Sequence, residues 1–227
     1  YKDQDAELAL AYIDASIGIN PSDSIAKTVK LHLMDAQDDT AAVIALYNEL
    51  ITDDPENTEY YSRLMAYLRE KDRDDEADAL LSNLATSPHD SIDFKIWLAQ
   101  ELNHNNIFDI AESTVKGFII DHPREYELRF ALSRIYMTSD RTASNNVLRE
   151  IIALDVDGAD AQSARGTIAA FAWMLDNDRA TAEAMANEML VIEEGNPVAL
   201  QLRAIFRLLD NNHIGAISDL RTVLKSK

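Results

Sequence analysis

Apolar and small residues recur along the chain at steps of three and four. Representative sets are Ala9, Ile13 and Ser16; Val43, Tyr47 and Leu50; Ala111, Val115 and Phe118; and Ala216, Leu220 and Val223. Such steps put each set on one stripe of an α-helix, with polar residues on the far side. The stripes are short and polar turns separate them. In "NELITDDPENTEYY", residues 48–61, Leu50 and Ile51 close one stripe, Pro55 interrupts, and Tyr60 and Tyr61 open the next. Proline lacks an amide hydrogen and disfavours helix at the residue before it, so it divides one helix from another. Ser24, Thr58 and Ser91 are expected to cap the helices that follow.

The junction repeats. Pro21, Pro55, Pro88 and Pro123 are separated by 34, 33 and 35 residues, and a further 33 lands on Val156. Pro197 lies 41 beyond Val156, seven too many. Four of these are assigned to a longer first helix around "SARGTIAAFAWML" and three to the "EEGNP" turn. Four residues make about one helical turn, which keeps the buried face in register. The other turn of each pair is polar throughout: "DAQDD", "EKDRDD", "LNHNN", "MTSDR", "LDNDR", "LDNNH". A period in this range predicts a stacked-helix solenoid.

The expected organisation is one solenoid over residues 1–227. A partial repeat at 1–21 holds a lone second helix, and helical hairpins follow at 22–54, 56–87, 89–122, 124–156, 158–195 and 197–227. About 13 helices result. The 158–195 repeat, with its longer helix, is where a bend or an altered groove is expected. The chain opens on Tyr in mid-pattern and is read as a fragment of a longer protein. At the other end, "AISDLRTVLKSK" keeps Ile217, Leu220, Val223 and Leu224 for burial and is no obvious cap. Uncapped solenoid ends expose an apolar face. Further repeats, another chain, or self-association through the uncapped ends would cover it.

Composition narrows the partners. Apolar residues make up 47% of the chain, with six Gly and five Pro, which suits an ordered helical protein. The net charge of −19 argues against nucleic acid, whose phosphates require clustered Lys and Arg, and against an anionic membrane surface. Residues 1–90 carry 20 acidic and 7 basic residues, and residues 91–227 carry 20 and 14. There is no Cys to select a redox compartment. No apolar run approaches the roughly 18–20 residues of a membrane span, so this stretch is not expected to insert.

Catalytic signatures are lacking. The sequence has no Gly-rich phosphate loop, Gly-x-Ser-x-Gly elbow or His-Glu-x-x-His helix. Four of its histidines, His89, His104, His122 and His213, fall at or beside turns, and only His32 lies within a first helix. In "LDVDGADA", Asp155, Asp157 and Asp160 lie near Gly158, but a calcium loop needs Gly at its sixth position and Glu at its twelfth. Asp157 is read instead as the cap of the next helix. The acidic run at 70–79 reads as a solvated turn whose carboxylates favour the following helix N-terminus. Trp97 and Trp173 are assigned to core packing. No enzyme activity, cofactor or metal is expected.

The chain resembles the tetratricopeptide repeat family over nearly its whole length. The matching positions are the small residue in mid first helix (Ala99, Ser133, Gly166, Ala204) and the Ala opening the second (Ala9, Ala77, Ala111, Ala216). A large residue follows four places on (Ile13, Leu81, Val115, Leu220), and the terminal Pro completes the pattern. Leu31 and Met65 depart at the first small position, and Val43 and Ser144 at the second. The resemblance implies an all-α, right-handed superhelical solenoid of antiparallel helix pairs, with first helices lining a concave groove that holds extended peptides or protein segments. The inward positions are then Thr28, His32, Ser62, Arg69, Gln100, Asn103, Phe130, Arg134, Ser163 and Thr167. Thr28, His32, Ser62 and Ala66 stand where the family's chaperone-binding subtype begins its carboxylate clamp of Lys and Asn, so that subtype is rejected. Arg134 beside Phe130 is kept as a carboxylate anchor, because guanidinium pairs well with that group.

A narrower resemblance lies in the last repeat. "LRA" and "AISDLRTVLK" look like repeats of bacterial TPR lipoproteins of the exopolysaccharide and cell-surface sorting (PEP-CTERM) type, which implies a periplasmic or envelope setting over a cytoplasmic one. The expectation is a non-catalytic protein–protein interaction scaffold of such an assembly. The alternatives are a peptide- or client-binding chaperone-like or regulatory module, and the recruiting region of an enzyme whose catalytic domain lies elsewhere.

Overall fold

The computed structural model describes residues 2–21, 23–137 and 139–225. Thirteen α-helices account for most of them, and no strand occurs among the described residues. They are α1 (Lys2–Ile19), α2 (Ser24–Asp35), α3 (Thr40–Asp53), α4 (Thr58–Glu70), α5 (Asp74–Thr86), α6 (Ile92–His104) and α7 (Phe108–Asp121). Then follow α8 (Tyr126–Tyr136), α9 (Arg141–Asp155), α10 (Ala159–Met174), α11 (Arg179–Ile192), α12 (Pro197–Leu209) and α13 (His213–Lys225). Two compact units divide the chain, Tyr1–Glu101 and Leu102–Lys227. In the first, α1 to α5 pack in succession; in the second, α7 to α13 do the same. Short turns make successive helices antiparallel, so the protein is an all-α stack of helix pairs.

The repeat is more regular than its prolines suggest. Asp23, Asn57, Ser91 and Glu125 each directly precede a first helix, at intervals of 34 residues. Fifteen residues after the first three of these stand Asp38, Asp72 and Asn106, with φ of 57°, 58° and 60°. These are left-handed residues, a conformation that Asn and Asp tolerate better than other side chains. The residue after each returns its N–H to a carbonyl five back: Asp39 to Met34 at 3.1 Å, Arg73 to Leu68 at 2.9 Å and Ile107 to Leu102 at 2.9 Å. Such bonds satisfy carbonyls that a helix end leaves open. Asn211 (φ 59°) repeats the device, with Asn212 N–H to Arg207 O at 2.7 Å. The polar second turns noted in the sequence are therefore a backbone requirement.

One helix breaks the count. From Gly158 to the left-handed Asn177 (φ 53°) the distance is 19 residues, against 15 from Asn196 to Asn211. Three of the four extra residues lie in α10, which runs 16 residues where α12 runs 13, and the fourth lies in the turn that follows it. The expected three-residue insertion in the "EEGNP" turn is absent. Pro197 misled the register because it is the first residue of α12, where a missing N–H costs nothing, and is not in the turn before it.

Two of the expected caps also move by one residue. The Asp23 carboxylate accepts from the N–H groups of Ile25 and Ala26, both at 3.0 Å, and Asn57 accepts from Glu59 at 3.2 Å, displacing Ser24 and Thr58. Ser91 does cap α6, its hydroxyl accepting from Phe94 at 3.2 Å. At α10 the carboxylate is that of Asp155, on Ala161 N–H at 3.3 Å, and not that of Asp157.

Each unit has its own core. In Tyr1–Glu101, Tyr61 and Phe94 meet edge to face at 5.5 Å, and Trp97 lies 5.7 Å from Tyr61 and 5.1 Å from Phe94. In Leu102–Lys227, Leu148, Ile151, Ile168, Met185, Met189 and Phe206 form one buried cluster, with Trp173 packed 5.0 Å from Phe206. Both tryptophans are thus packing residues, as expected. Ala204 and Ala216 let α12 cross α13 closely, both nearly sealed from solvent. Arg129 and Arg165 are buried at matching places: each gives an N–H to the carbonyl of the preceding turn, Pro123 at 2.6 Å and Val156 at 2.8 Å. By that register the small buried residue of α10 is Ala169, fully enclosed, whereas Gly166 is partly open. On α13, Val223 is buried but Ile217, Leu220 and Leu224 are 48%, 41% and 72% exposed.

Candidate functional site on the first-helix face

The ten residues singled out from the sequence lie on first helices and are at least partly open to solvent. In Tyr1–Glu101 most are already engaged. Thr28 donates its hydroxyl to Ser24 O at 2.8 Å. Ser62 accepts the Trp97 indole N–H at 3.2 Å. The Arg69 guanidinium lies 3.1 Å from Asp78 and 3.8 Å from Asp74 of its partner helix. His32 and Gln100 are exposed.

Leu102–Lys227 differs. Phe130 is partly buried and packs on the unit's apolar cluster. One helical turn along α8, Arg134 is exposed and makes no ion pair among the described residues. Every other arginine on a described first helix has one: Arg63 with Glu59, Arg69 with Asp78, Arg129 with Glu150, Arg165 with Glu188, and Arg203 and Arg207 with Asp219. Asp219 is buried, and its hydrogen bond to Arg203 pushes that guanidinium's pKa further up. Arg124, Arg149 and Arg221, which lie off the first helices, are likewise without an ion pair among the described residues.

Ser163 and Thr167 are brought together on α10, beside a cleft of about 400 Å³. Gly166 and Ala170 lie between them and the α12 residue Val198, with Met189 of α11 also lining the space. By the register that matches Arg129 to Arg165, Gly166 and Ala170 occupy the places of Phe130 and Arg134. The cleft is a consequence: the preceding first helix has a ring and a guanidinium where α10 has a hydrogen and a methyl. The cleft lies largely within the 158–195 repeat. Thr167 donates to Ser163 O at 2.9 Å, and Asn196 caps α12 through Ala199 N–H at 3.1 Å. Gln162 also lines it, and both its amide atoms are buried without a hydrogen-bond partner. Sequence reasoning missed Gln162, because the enclosure of its carboxamide depends on packing that the residue pattern does not show.

The perturbed acids and bases lie elsewhere. Glu56 is held below the usual carboxylate range by the N–H groups of Ser91 and Asp90, and Glu112 by Lys116 and then the Tyr136 hydroxyl. Asp178 is lowered by Thr181, whose hydroxyl and N–H it accepts at the start of α11. Burial pushes the Tyr47 and Tyr61 phenols up. These groups tie helices and turns together. Among the described residues no group of three or more His, Asp or Glu could hold a metal ion, and no helix is long and apolar enough to cross a membrane.

No protein-family model matches the chain, and no curated protein matches it by sequence. Solved structures are similar in fold. A crystal structure of YrrB, a TPR protein with an unusual peptide-binding site, is 16% identical over 84% of this chain and 97% of that one, with a TM-score of 0.45. A crystal structure of MamA is 14% identical over 85% of this chain and 91% of that one, with a TM-score of 0.41. At these identities and TM-scores the likeness says nothing of this chain's ligand.

Proposed function

We propose that this chain is a non-catalytic scaffold of the tetratricopeptide type that holds an extended peptide or protein segment on its first-helix face. The carrying observation is Arg134: exposed, beside Phe130, and the only described first-helix arginine without an ion pair. A guanidinium left unmatched in so acidic a chain suits capture of a carboxylate, in a two-pronged geometry that lysine cannot supply. Phe130 offers apolar contact on the same side. The bacterial envelope setting belongs to this proposal through the sequence of the last helix pair alone, and a lipoprotein signal in the parent gene would support it.

The test is binding of a random dodecapeptide library displayed on phage. Selected peptides should carry an acidic group, and Arg134→Ala should weaken them about tenfold, or ~1.4 kcal/mol. Unchanged binding by Arg134→Ala would remove the anchor from the proposal.

A further inference from the structure

We infer that the cleft on α10 is a pocket for one bulky apolar side chain of an extended peptide. The peptide's backbone would pair with Gln162, and its carboxylate would reach Arg134 on α8. This rests on the peptide-binding reading above and gives that ligand a chemistry. Three observations carry it. The space is bounded by Gly166, Ala170, Met189 and Val198, so its walls are mostly apolar and about 400 Å³ is free, within the range of small-molecule sites. A Cβ on Gly166 would meet only ordinary contacts, 3.5 Å to Val198 and 3.8 Å to Met189, so packing of α10 does not require the glycine. A glycine in mid-helix is otherwise unfavourable.

The second observation is the Gln162 carboxamide, enclosed with neither oxygen nor nitrogen bonded. A buried polar group without a partner calls for one. A carboxamide offers one acceptor and donors side by side, which matches the N–H and C=O of an extended peptide strand. The third is charge. Phe130 and Arg134 stand on α8 where α10 leaves its gap, so the cation lies about one helix spacing, ~10 Å, from the pocket. At about 3.3 Å per extended residue, three residues span that distance. The ligand is therefore an extended segment with a Leu-, Met- or Phe-sized residue and a carboxylate three or four positions away.

The same dodecapeptide library tests this with different variants. Gly166→Leu and Ala170→Leu fill the cleft from two sides, and circular dichroism melting checks that each folds. A selected peptide should bind either variant at least tenfold more weakly and shift the ¹³C-methyl signal of Met189. Gln162→Ala should weaken it severalfold. Arg134→Ala should remove the acidic preference and leave the apolar one. Equal binding to Gly166→Leu and the original chain overturns the pocket while leaving the Arg134 anchor standing. Loss of every selected peptide's dependence on Arg134 with retained dependence on Gly166 does the reverse, and a library that yields no binder brings down both. If the unliganded chain is a dimer that Gly166→Leu returns to monomer, a second copy fills the cleft and the peptide proposal falls.

Discussion

The hydroxyl of Ser133 on α8 lies 2.8 Å from that of Ser144 on α9, and Ser144 also donates to the Ser133 carbonyl at 2.9 Å. Both side chains are sealed from water. They occupy the two small positions at which the last pair has Ala204 and Ala216. A hydroxyl pair thus replaces a methyl pair at a helix crossing. Removing the Ser144 hydroxyl strands that of Ser133, whereas removing both leaves an apolar crossing. Ser144→Ala is expected to cost about 1–2 kcal/mol, and Ser133→Ala with Ser144→Ala to recover most of it. Urea denaturation of the two singles and the double gives the coupling directly. Additive losses would show that the hydroxyls act independently.

The left-handed turns give a second prediction. Asp72 and Asn211 sit at φ 58° and 59°, where glycine pays no steric cost. Asp72→Gly and Asn211→Gly should be neutral or stabilising by up to ~1 kcal/mol, despite added freedom in the unfolded chain. Asp72→Ala and Asn211→Ala should each lose roughly 1 kcal/mol. Thermal melts rank the four. An alanine variant as stable as its parent would mean that the turn relaxes into another conformation.

A third concerns acid. Glu56 accepts the N–H groups of Asp90 and Ser91, at 2.8 and 3.1 Å, linking the turn before α4 to the turn before α6. Those bonds hold its pKa below the ordinary glutamate value of 4.5. The unfolded chain therefore binds the proton more readily, so this contribution is present above about pH 4.5 and is lost as pH falls through the depressed value. Glu56→Gln keeps an acceptor but not the charge. The stability gap between the parent and Glu56→Gln should be widest near neutrality and should close towards pH 3 in a series of melts. A gap that stays constant across that range would exclude the charged acceptor.

A fourth lies at the start of α10. A methyl on Gly158 would overlap the Asp155 carboxylate, which accepts from Ala161 N–H. Gly158→Ala should expel that carboxylate and cost about 1 kcal/mol, the usual value of a helix cap. Asp155→Ala should cost the same, and the double variant no more than either. Additive losses in calorimetry would argue against a shared cause.

Much of this was legible in the sequence because the repeat enforces it. Helical stripes and prolines gave the helix count, and the small residues Ala77, Ala111 and Ala216 are all buried. The errors have local causes. Asp23–Ser24 and Asn57–Thr58 each set two capping-competent residues side by side, and composition does not say which one adopts the extended backbone. Gly166 occupied the expected small position when counted from the N-cap, but most of the extra turn of α10 precedes Arg165, so Ala169 is buried in its place. The first-helix face was drawn from the same count, and side-chain pairing was not visible in it. Nothing in the sequence separates Arg69, held by Asp78, from Arg134, held by nothing acidic.

Asp38 and Asp72 mark the same point in consecutive turns, 34 residues apart, and the residue after each closes the same backbone ring. A chain built this way can be shortened or lengthened by splicing at those points. Excision of residues 39–72 would fuse Asp38 to Arg73 with the local geometry already in place. Gene duplication working on such a frame makes longer or shorter molecules without redesigning a joint, and the excised variant should still melt in a helical transition.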